Sequence, residues 1–298
     1  MKITITGASG FIGRRLMKTL VADDHELHVL SRHAGTNLPA GVQLSVWDST
    51  RGQPPEESLR GAGAIIHLAG ENVAQRWTDA AKQKIRSSRI DGTRFLVQAL
   101  STLSERPQAL VCASAIGIYG DRGEEVLTEA SAPGSGFLSE VCQDWEKQVD
   151  LAEALGIRVV KLRIGVVLGA NGGALAKMLP AFRAGVGGRL GSGKQWMSWI
   201  HLEDLAELIR YAALNPLRGA VNAVAPNPVT NADFTRALAS AVHRPALFPV
   251  PGFAVRALFG EMSQVMLASQ RVLPRAAEAA GFGFRYPRIE EALRSAIS

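Results

Sequence analysis

The chain has little cysteine, few aromatic residues and no long apolar run. Its 298 residues contain only Cys112 and Cys142, which is too few for a disulfide framework. Both lie in apolar surroundings, so we interpret them as two reduced, buried thiols. No apolar run approaches the roughly 18 residues that a membrane span needs. The N-terminus enters a strand pattern at once, so we expect no signal peptide and a cytoplasmic protein.

Dense charge and metal-ligand clusters are also scarce. The net charge is +6, with 47% hydrophobic and 20% charged residues, which is typical of a globular protein. The basic residues are spread along the chain, so we expect no nucleic-acid partner. Some of them form a helically spaced stretch, which a solvated helix face explains at least as well as a polyanion site: Lys82, Lys84, Arg86, Arg89 and Arg94. His25, His28 and His33 lie around a predicted strand with no cysteine partners, so no metal site is expected.

Apolar strand-like segments alternate with amphipathic helical segments through the first half of the chain. The predicted strands are 2–6, 27–31, 42–47, 64–69, 109–114 and 157–163, with a further one at 220–225. The predicted helices include 11–22, 79–100, 136–155 and 202–214. This alternation predicts an α/β protein with a Rossmann-type doubly wound parallel sheet.

The composition of the chain changes after Arg163. Glycines concentrate between 165 and 193, and prolines recur towards the C-terminus. We therefore predict a Rossmann domain with a smaller, partly interleaved C-terminal α+β lobe. The predicted Rossmann domain comprises 1–164 plus about 198–226, and the lobe comprises about 165–197 plus 227–298.

A glycine fingerprint follows the first predicted strand directly. Its pattern, G-x-x-G-x-x-G, uses Gly7 for the turn, Gly10 for close approach to a pyrophosphate and Gly13 for helix-on-sheet packing. The helix that starts there would face the phosphates with free amides and a positive dipole end. The residues predicted to hold a dinucleotide at this turn are Gly7, Ser9, Gly10, Phe11, Ile12 and Gly13.

The end of the second strand indicates which dinucleotide is preferred. NAD sites usually carry an acidic residue there, whereas this chain has Ser31 and Arg32. An arginine at this place can pair with a 2′-phosphate, which favours NADP(H) over NAD(H). Asp48, after the third strand, is the candidate for the adenine side.

Several motifs together resemble the extended and atypical short-chain dehydrogenase/reductase superfamily, and more narrowly the YfcH group of epimerase-family proteins. The motifs that carry this resemblance are Gly7–Gly13, His67–Asn72, Arg76–Thr78, Ser114 with Tyr119–Asp121, Trp145–Glu146, Arg163, Gly191–Gly193 with Gln195, Ser198–His201 with Asp204, and Arg271 through Pro274 to Phe282. The resemblance runs from residue 1 to about 295. It implies cofactor contacts at Leu68, Ala69, Gly70 and Arg163, and a catalytic serine at Ser114.

The tyrosine–lysine pair on which the superfamily's usual chemistry depends is missing. The chain has three tyrosines, Tyr119, Tyr211 and Tyr286, and the residues four positions later are Gly123, Asn215 and Glu290. Counting back from Arg163 and Glu146 puts the expected pair near Leu138 and Cys142. The YfcH group shares this absence.

Other residues could replace the missing pair. Tyr119 is the candidate catalytic partner of Ser114, because it follows the Ser114 strand towards the ligand-binding edge of the sheet. The substrate-side candidates are Glu71, Glu140, Trp145, Glu146, Gln195 and His201, each with a structural role as the alternative. Arg163 could instead bind an anionic substrate group or tie the two lobes together.

Three functions are consistent with these residues. The first is an NADP(H)-dependent oxidoreductase or epimerase that acts on a carbonyl or nucleotide-sugar-like substrate. The second is a catalytically inactive regulator or redox sensor that retains the cofactor. A structural protein with a vestigial site is the third option. The resemblance to the superfamily implies a homodimer whose interface is formed by the helical segments 79–100 and 136–155. The charged surface of these segments does not favour or oppose a dimer.

Overall fold

The computed structural model describes residues 1–35, 38–246 and 248–298. Its strands, in chain order, are β1 (Lys2–Thr6), β2 (Glu26–Ser31), β3 (Gln43–Val46), β4 (Ala64–His67), β5 (Ala109–Ala115), β6 (Val126–Leu127), β7 (Arg158–Ile164), β8 (Val166–Leu168), β9 (Trp196–Met197), β10 (Trp199–His201), β11 (Gly219–Ala223), β12 (Val229–Thr230) and β13 (Arg271–Val272). Its α-helices are α1 (Phe11–Ala22), α2 (Glu56–Leu59), α3 (Asp79–Thr102), α4 (Phe137–Asp150), α5 (Gly173–Arg183), α6 (Leu202–Leu214), α7 (Asn231–Ala241), α8 (Gly252–Phe259), α9 (Ser263–Leu267), α10 (Arg275–Ala279) and α11 (Ile289–Ile297).

A seven-stranded sheet forms the centre, in the order β11-β7-β5-β4-β1-β2-β3. All of its strand pairs are parallel. From β1 the chain builds outward first through β2 and β3, and then from β4 in the other direction. The order therefore reverses between β1 and β4, and α/β sheets bind ligands at the carboxyl ends of the strands beside such a reversal.

Helices cover both faces of the sheet. Successive residues of a strand point to opposite faces, and the buried pair Ile65 and Ile66 of β4 accordingly joins two different hydrophobic clusters. One cluster packs α1 and α6 against the sheet, and the other packs α3 and α4. The predicted Rossmann-type doubly wound fold is confirmed.

A third hydrophobic cluster joins α5, α7 and α11. It includes Phe182, Trp199, Phe234 and Leu293, all buried. Of these helices, α5 lies within the glycine-rich region 165–193, and α7 and α11 follow it. The boundaries given above for the Rossmann domain and the smaller lobe stay a prediction.

The ends of two helices differ from the sequence prediction. The helix predicted over 79–100 continues to Thr102, and the one predicted over 136–155 ends at Asp150. A tight 3-10 turn follows at Glu153–Leu155, and Gly156 then adopts a left-handed conformation with φ +80°. That turn leads the chain into β7. Cys112 and Cys142 are free and buried, as predicted.

Candidate active site

The glycine turn lies between β1 and α1, at the reversal point of the sheet. Gly7 has φ +73°, and a Cβ on it would lie 2.7 Å from the carbonyl carbon of Leu68. A Cβ on Gly13 would lie 2.4 Å from the carbonyl oxygen of Gly7. Both positions therefore require glycine: Gly7 lets the turn approach the segment after β4, and Gly13 lets α1 pack on the turn.

Among the described residues, nothing neutralises the positive dipole end at the start of α1. No side chain caps it, and its first turn contains no acidic residue. Within the described residues, the amides of Phe11 and Ile12 donate to no protein acceptor. Ser9 and Gly10, just before the helix, are exposed. This arrangement fits an anionic group such as a pyrophosphate.

A second glycine cluster covers the same helix end. The ring of Phe11 packs against Gly169, Gly172 and Gly173, and a Cβ on Gly172 would lie 2.4 Å from that ring. The glycine-rich segment that follows β8 therefore adjoins the amino end of α1, because its lack of side chains leaves room for the phenyl ring.

The end of β2 presents Arg32 to solvent beside a carboxylate. Ser31 is buried and Arg32 is exposed. The Asp48 carboxylate accepts hydrogen bonds from the amide and hydroxyl of Thr50 at 3.0 and 2.8 Å, and these bonds hold its pKa below the ordinary value. Arg51 pairs with its other oxygen at 3.1 Å. Asp48 thus shapes the loop opposite Arg32.

A hydrogen-bond chain fixes the end of β4. The Thr6 hydroxyl lies 2.7 Å from Nδ1 of His67 and accepts the amide of Ala69 at 3.1 Å. His67 is fully buried, and burial lowers its pKa to about 4. The neutral imidazole therefore orients Leu68, Ala69 and Gly70, which leave the sheet beside the glycine turn.

Ser114, at the end of β5, is hydrogen-bonded to a buried ion pair. Its hydroxyl donates to Oε1 of Glu146 at 2.7 Å. Arg163, at the end of β7, donates Nε and Nη2 to the two oxygens of Glu146, each at 2.9 Å. Burial works to lower the pKa of Arg163, but its bonds to Glu146 hold that pKa above the ordinary value. The Glu146 carboxylate is therefore held in place, and its Oε1 also accepts the hydrogen bond from the Ser114 hydroxyl.

Tyr119 lies behind Arg163 and has no exposed surface. Its hydroxyl accepts Nη1 of Arg163 at 2.9 Å and lies 2.7 Å from Oδ1 of Asn222 and 3.0 Å from the carbonyl of Thr128. Burial raises its pKa. The arrangement supports a structural role for Tyr119, in which it holds the guanidinium that holds Glu146.

The other candidate residues are distributed more widely. The Trp145 indole donates to Thr93 at 2.8 Å on the inner side of α4, while Glu140 is exposed on the same helix. Glu71 follows Gly70 and lies 3.4 Å from the amide of Gln75. Gln195 is buried and donates to the carbonyl of Leu190 at 3.1 Å.

His201 belongs to a different part of the molecule. Its Nδ1 caps α6 by accepting the Glu203 amide at 3.1 Å, and its ring stacks on Tyr286. It lines a cavity of about 620 Å³ with Arg14 and Arg285, and Phe11 at the amino end of α1 belongs to the same cavity. Burial lowers its pKa to about 4. The structure therefore brings together Ser114, Glu146, Arg163 and Tyr119, and it leaves Gln195 and His201 apart from them.

Sequence reasoning missed two supports of this cluster. Asn222 is fully buried in β11, where it meets the Tyr119 hydroxyl. Glu129 accepts the amides of Asn222 and Ala276 at 2.9 and 3.1 Å, and its own carbonyl accepts Arg163 at 3.2 Å. An asparagine inside the apolar run 220–225 was a usable signal, because a buried amide needs partners.

A family model described as "NAD dependent epimerase/dehydratase family" matches residues 3–224. The chain belongs to this family. A second model, a domain of unknown function, matches residues 250–296. The resemblance inferred from the sequence motifs is confirmed.

Relatives of this epimerase family match along nearly the whole chain. The chloroplastic SDR39U1 homolog of Arabidopsis thaliana is 42% identical over 99% of this chain and 86% of its own length. YfhF of Bacillus subtilis is 41% identical over 100% of this chain and 98% of its own. The human epimerase family protein SDR39U1, solved with NADPH, superimposes with a TM-score of 0.88 at 33% identity and 99% coverage of both chains.

A more distant structure shares the fold of the family. UDP-glucose 4-epimerase of Thermus thermophilus, in complex with NAD, superimposes with a TM-score of 0.77 at 21% identity. At this identity the match concerns the fold alone. Within the described part of this chain, no helix has the length and apolar character to cross a membrane.

Proposed function

We propose that this epimerase-family protein is an NADP(H)-dependent oxidoreductase or epimerase that acts on a carbonyl or nucleotide-sugar-like substrate. The observation that carries the proposal is the free amino end of α1 at the same edge of the sheet as the Ser114–Glu146 pair. Four neighbouring parallel strands bring polar residues to this edge. The last residues of β1 and β4 are Thr6 and His67, and the last but one of β5 and β7 are Ser114 and Arg163. The human relative solved with NADPH supports the choice of cofactor.

In this proposal each part of the cofactor has its own set of contacts. The amides of Phe11 and Ile12 hold the pyrophosphate, and Arg32 pairs with the 2′-phosphate. Asp48 borders the adenine side. The remaining contacts come from Gly7, Ser9, Gly10, Gly13, Ser31, Leu68, Ala69 and Gly70. Arg163 acts through Glu146, because its guanidinium is already engaged by protein groups.

The reaction needs a group that can take up or supply the proton of a substrate hydroxyl. When bound, the nicotinamide supplies hydride exchange at the substrate carbon. The Ser114 proton already points to Glu146, so its oxygen is free to accept a substrate O–H. As an alcohol is oxidised, its proton passes to Ser114 while the Ser114 proton passes to Glu146. The reverse transfer protonates a carbonyl oxygen during reduction. Serine and glutamate thus take over the proton transfer that the missing tyrosine performs.

Fluorescence titration of the protein with NADPH and NADH tests the cofactor assignment. We expect tighter binding of NADPH. Arg32→Ala should weaken NADPH binding about tenfold or more, because a charged hydrogen-bonded pair is lost, and should leave NADH binding unchanged. The control is Arg60→Ala, an exposed arginine paired with Glu56, which should change neither affinity. Failure of the wild-type protein to bind either dinucleotide would overturn the proposal.

A second candidate, a redox sensor without catalysis, is favoured by the absence of the tyrosine–lysine pair. A panel of carbonyl compounds and nucleotide sugars separates the two functions by the disappearance of NADPH absorbance. Turnover of any member supports the enzyme. No turnover, combined with strong preference for one redox form and a partner captured only with that form, supports the sensor.

A further inference from the structure

Arg89 differs from the other basic residues of α3. Arg86 pairs with Asp144, and Arg94 pairs with Asp91 at 3.0 Å, so both belong to the solvated face that the sequence indicates. Arg89 is partly buried, with its guanidinium 5.3 Å from the centre of the Trp145 ring. It forms no ion pair with any residue that the structure describes, and its one protein hydrogen bond joins Nη1 to the carbonyl of Ile85 at 3.1 Å.

The guanidinium rests on Gly70, at the carboxyl end of β4. A Cβ at Gly70 would lie 3.2 Å from both Cζ and Nη2 of Arg89. The absence of a side chain at Gly70 therefore admits the guanidinium to the edge of the sheet beside Leu68 and Ala69. This edge is the one at which the proposed cofactor binds.

Cys142, where counting along the chain puts the missing lysine, lies on α4 three residues before Trp145, whose ring Arg89 contacts. Burial raises the pKa of the Cys142 thiol to about 12, and the positive charge of Arg89 opposes that rise. A cation is therefore present beside the position of the lost lysine, although it comes from α3 instead of α4.

Most N–H groups of the Arg89 guanidinium have no acceptor among the described residues. Burial lowers the pKa of the Arg89 guanidinium, and Glu71, whose charge opposes that shift, forms no ion pair with it within the described structure. Partly buried charges are costly to leave without hydrogen-bond partners. The free donors of Arg89 are therefore suited to an oxygen-rich ligand in the adjoining crevice.

We propose that Arg89 binds the nicotinamide-side ribose of the cofactor and so supplies the contact that a lysine supplies in relatives with the usual pair. The inference rests on the proposed function, because it needs a dinucleotide in the crevice. It concerns only cofactor binding, and the proton transfer remains with Ser114 and Glu146. Arg89 is then a cofactor-binding residue that the sequence pattern groups with a solvated helix face.

The test compares two probes that differ in the nicotinamide half. NADPH contains the nicotinamide ribose, whereas adenosine 2′,5′-bisphosphate contains only the adenosine end. Arg89→Met should weaken NADPH binding about tenfold or more through loss of a charged donor, with binding of the bisphosphate unchanged. Arg89→Lys should recover part of the NADPH affinity. Arg94→Met, on the same helix, should change neither affinity.

The outcomes distinguish this inference from the proposed function. If the wild-type protein binds neither probe, the proposed function fails. If Arg89→Met binds NADPH as tightly as wild type, or loses both probes equally with its melting temperature intact, the assignment of Arg89 is overturned. Should the methionine variant not fold, Arg89→Gln keeps the polarity and is judged by the same two affinities.

Discussion

At the scale of single residues, the proposed chemistry depends on the Ser114 hydroxyl. Ser114 is 4% exposed and Glu146 is 6% exposed, so the pair is shielded from bulk water. With a substrate from the panel above, Ser114→Ala should lower turnover by at least about 100-fold, the scale of general acid–base catalysis. NADPH affinity should stay unchanged, because the serine contacts the reacting oxygen. Steady-state rates and fluorescence titration measure the two effects.

Ser139→Ala provides a matched control for this variant. Ser139, on α4, is also buried, and its hydroxyl donates to the carbonyl of Ile118 at 2.7 Å. Its removal should lower the free energy of unfolding by about 1 kcal/mol and leave turnover intact. Equal turnover of Ser114→Ala and Ser139→Ala would refute the proton route through Ser114.

Tyr119 is the residue for which the structure most alters the sequence interpretation. As a catalytic acid it would need to reach the substrate, but its hydroxyl is enclosed by Arg163, Asn222 and Thr128. Tyr119→Phe should therefore lower the free energy of unfolding by about 1–3 kcal/mol, since it leaves buried polar groups unpaired. The pH profile of turnover should keep its shape, because Tyr119 does not titrate in the reaction. If turnover of this variant no longer fell at one end of the pH range where the wild type does, Tyr119 would be the catalytic acid after all.

At the scale of elements, the start of α1 determines where the cofactor phosphates can bind. A Cβ at Gly13 would meet the carbonyl oxygen of Gly7 at 2.4 Å, and neither backbone segment can yield easily. Gly13→Ala should destabilise the fold by about 1–3 kcal/mol and weaken NADPH binding. Gly283→Ala, where a Cβ has no neighbour within 4 Å, should do neither. Denaturant unfolding and NADPH titration give the comparison, and equal stability of the two variants would contradict the packing argument.

The same scale separates what the sequence can and cannot predict. The strands and helices of the sheet follow from apolar periodicity and the glycine fingerprint, so their order was predictable. The direction of the Arg89 side chain was not predictable, because helical spacing assigns Arg89 to the same solvated face as Arg86 and Arg94. Only the packing of α3 on α4 shows that Arg89 turns towards Trp145. Asn222 and Glu129 were likewise missed, since their partners lie far away in the chain.

At the scale of the whole molecule, two buried histidines make the stability of the fold depend on pH. His67 lies inside the sheet and His201 at the start of α6, and burial lowers the pKa of each to about 4. Both imidazoles retain a ring nitrogen with no partner in the described structure. Protonation of either would place a charge on a desolvated ring, so both imidazoles are neutral in the folded protein at neutral pH.

The pH dependence of stability follows from these two histidines. In the unfolded chain each has a pKa near 6.5, so below that pH the unfolded state binds more protons than the folded one. Stability is therefore fully present above pH 6.5 and is lost as the pH falls towards 4, by up to about 3 kcal/mol for the fully buried His67 and by less for His201, which lines a cavity. His67→Gln should flatten this decline in urea unfolding measured across the range. His243→Asn should not, because His243 is exposed and its left-handed backbone accepts asparagine. Parallel pH curves for wild type and His67→Gln would show that His67 does not carry the effect.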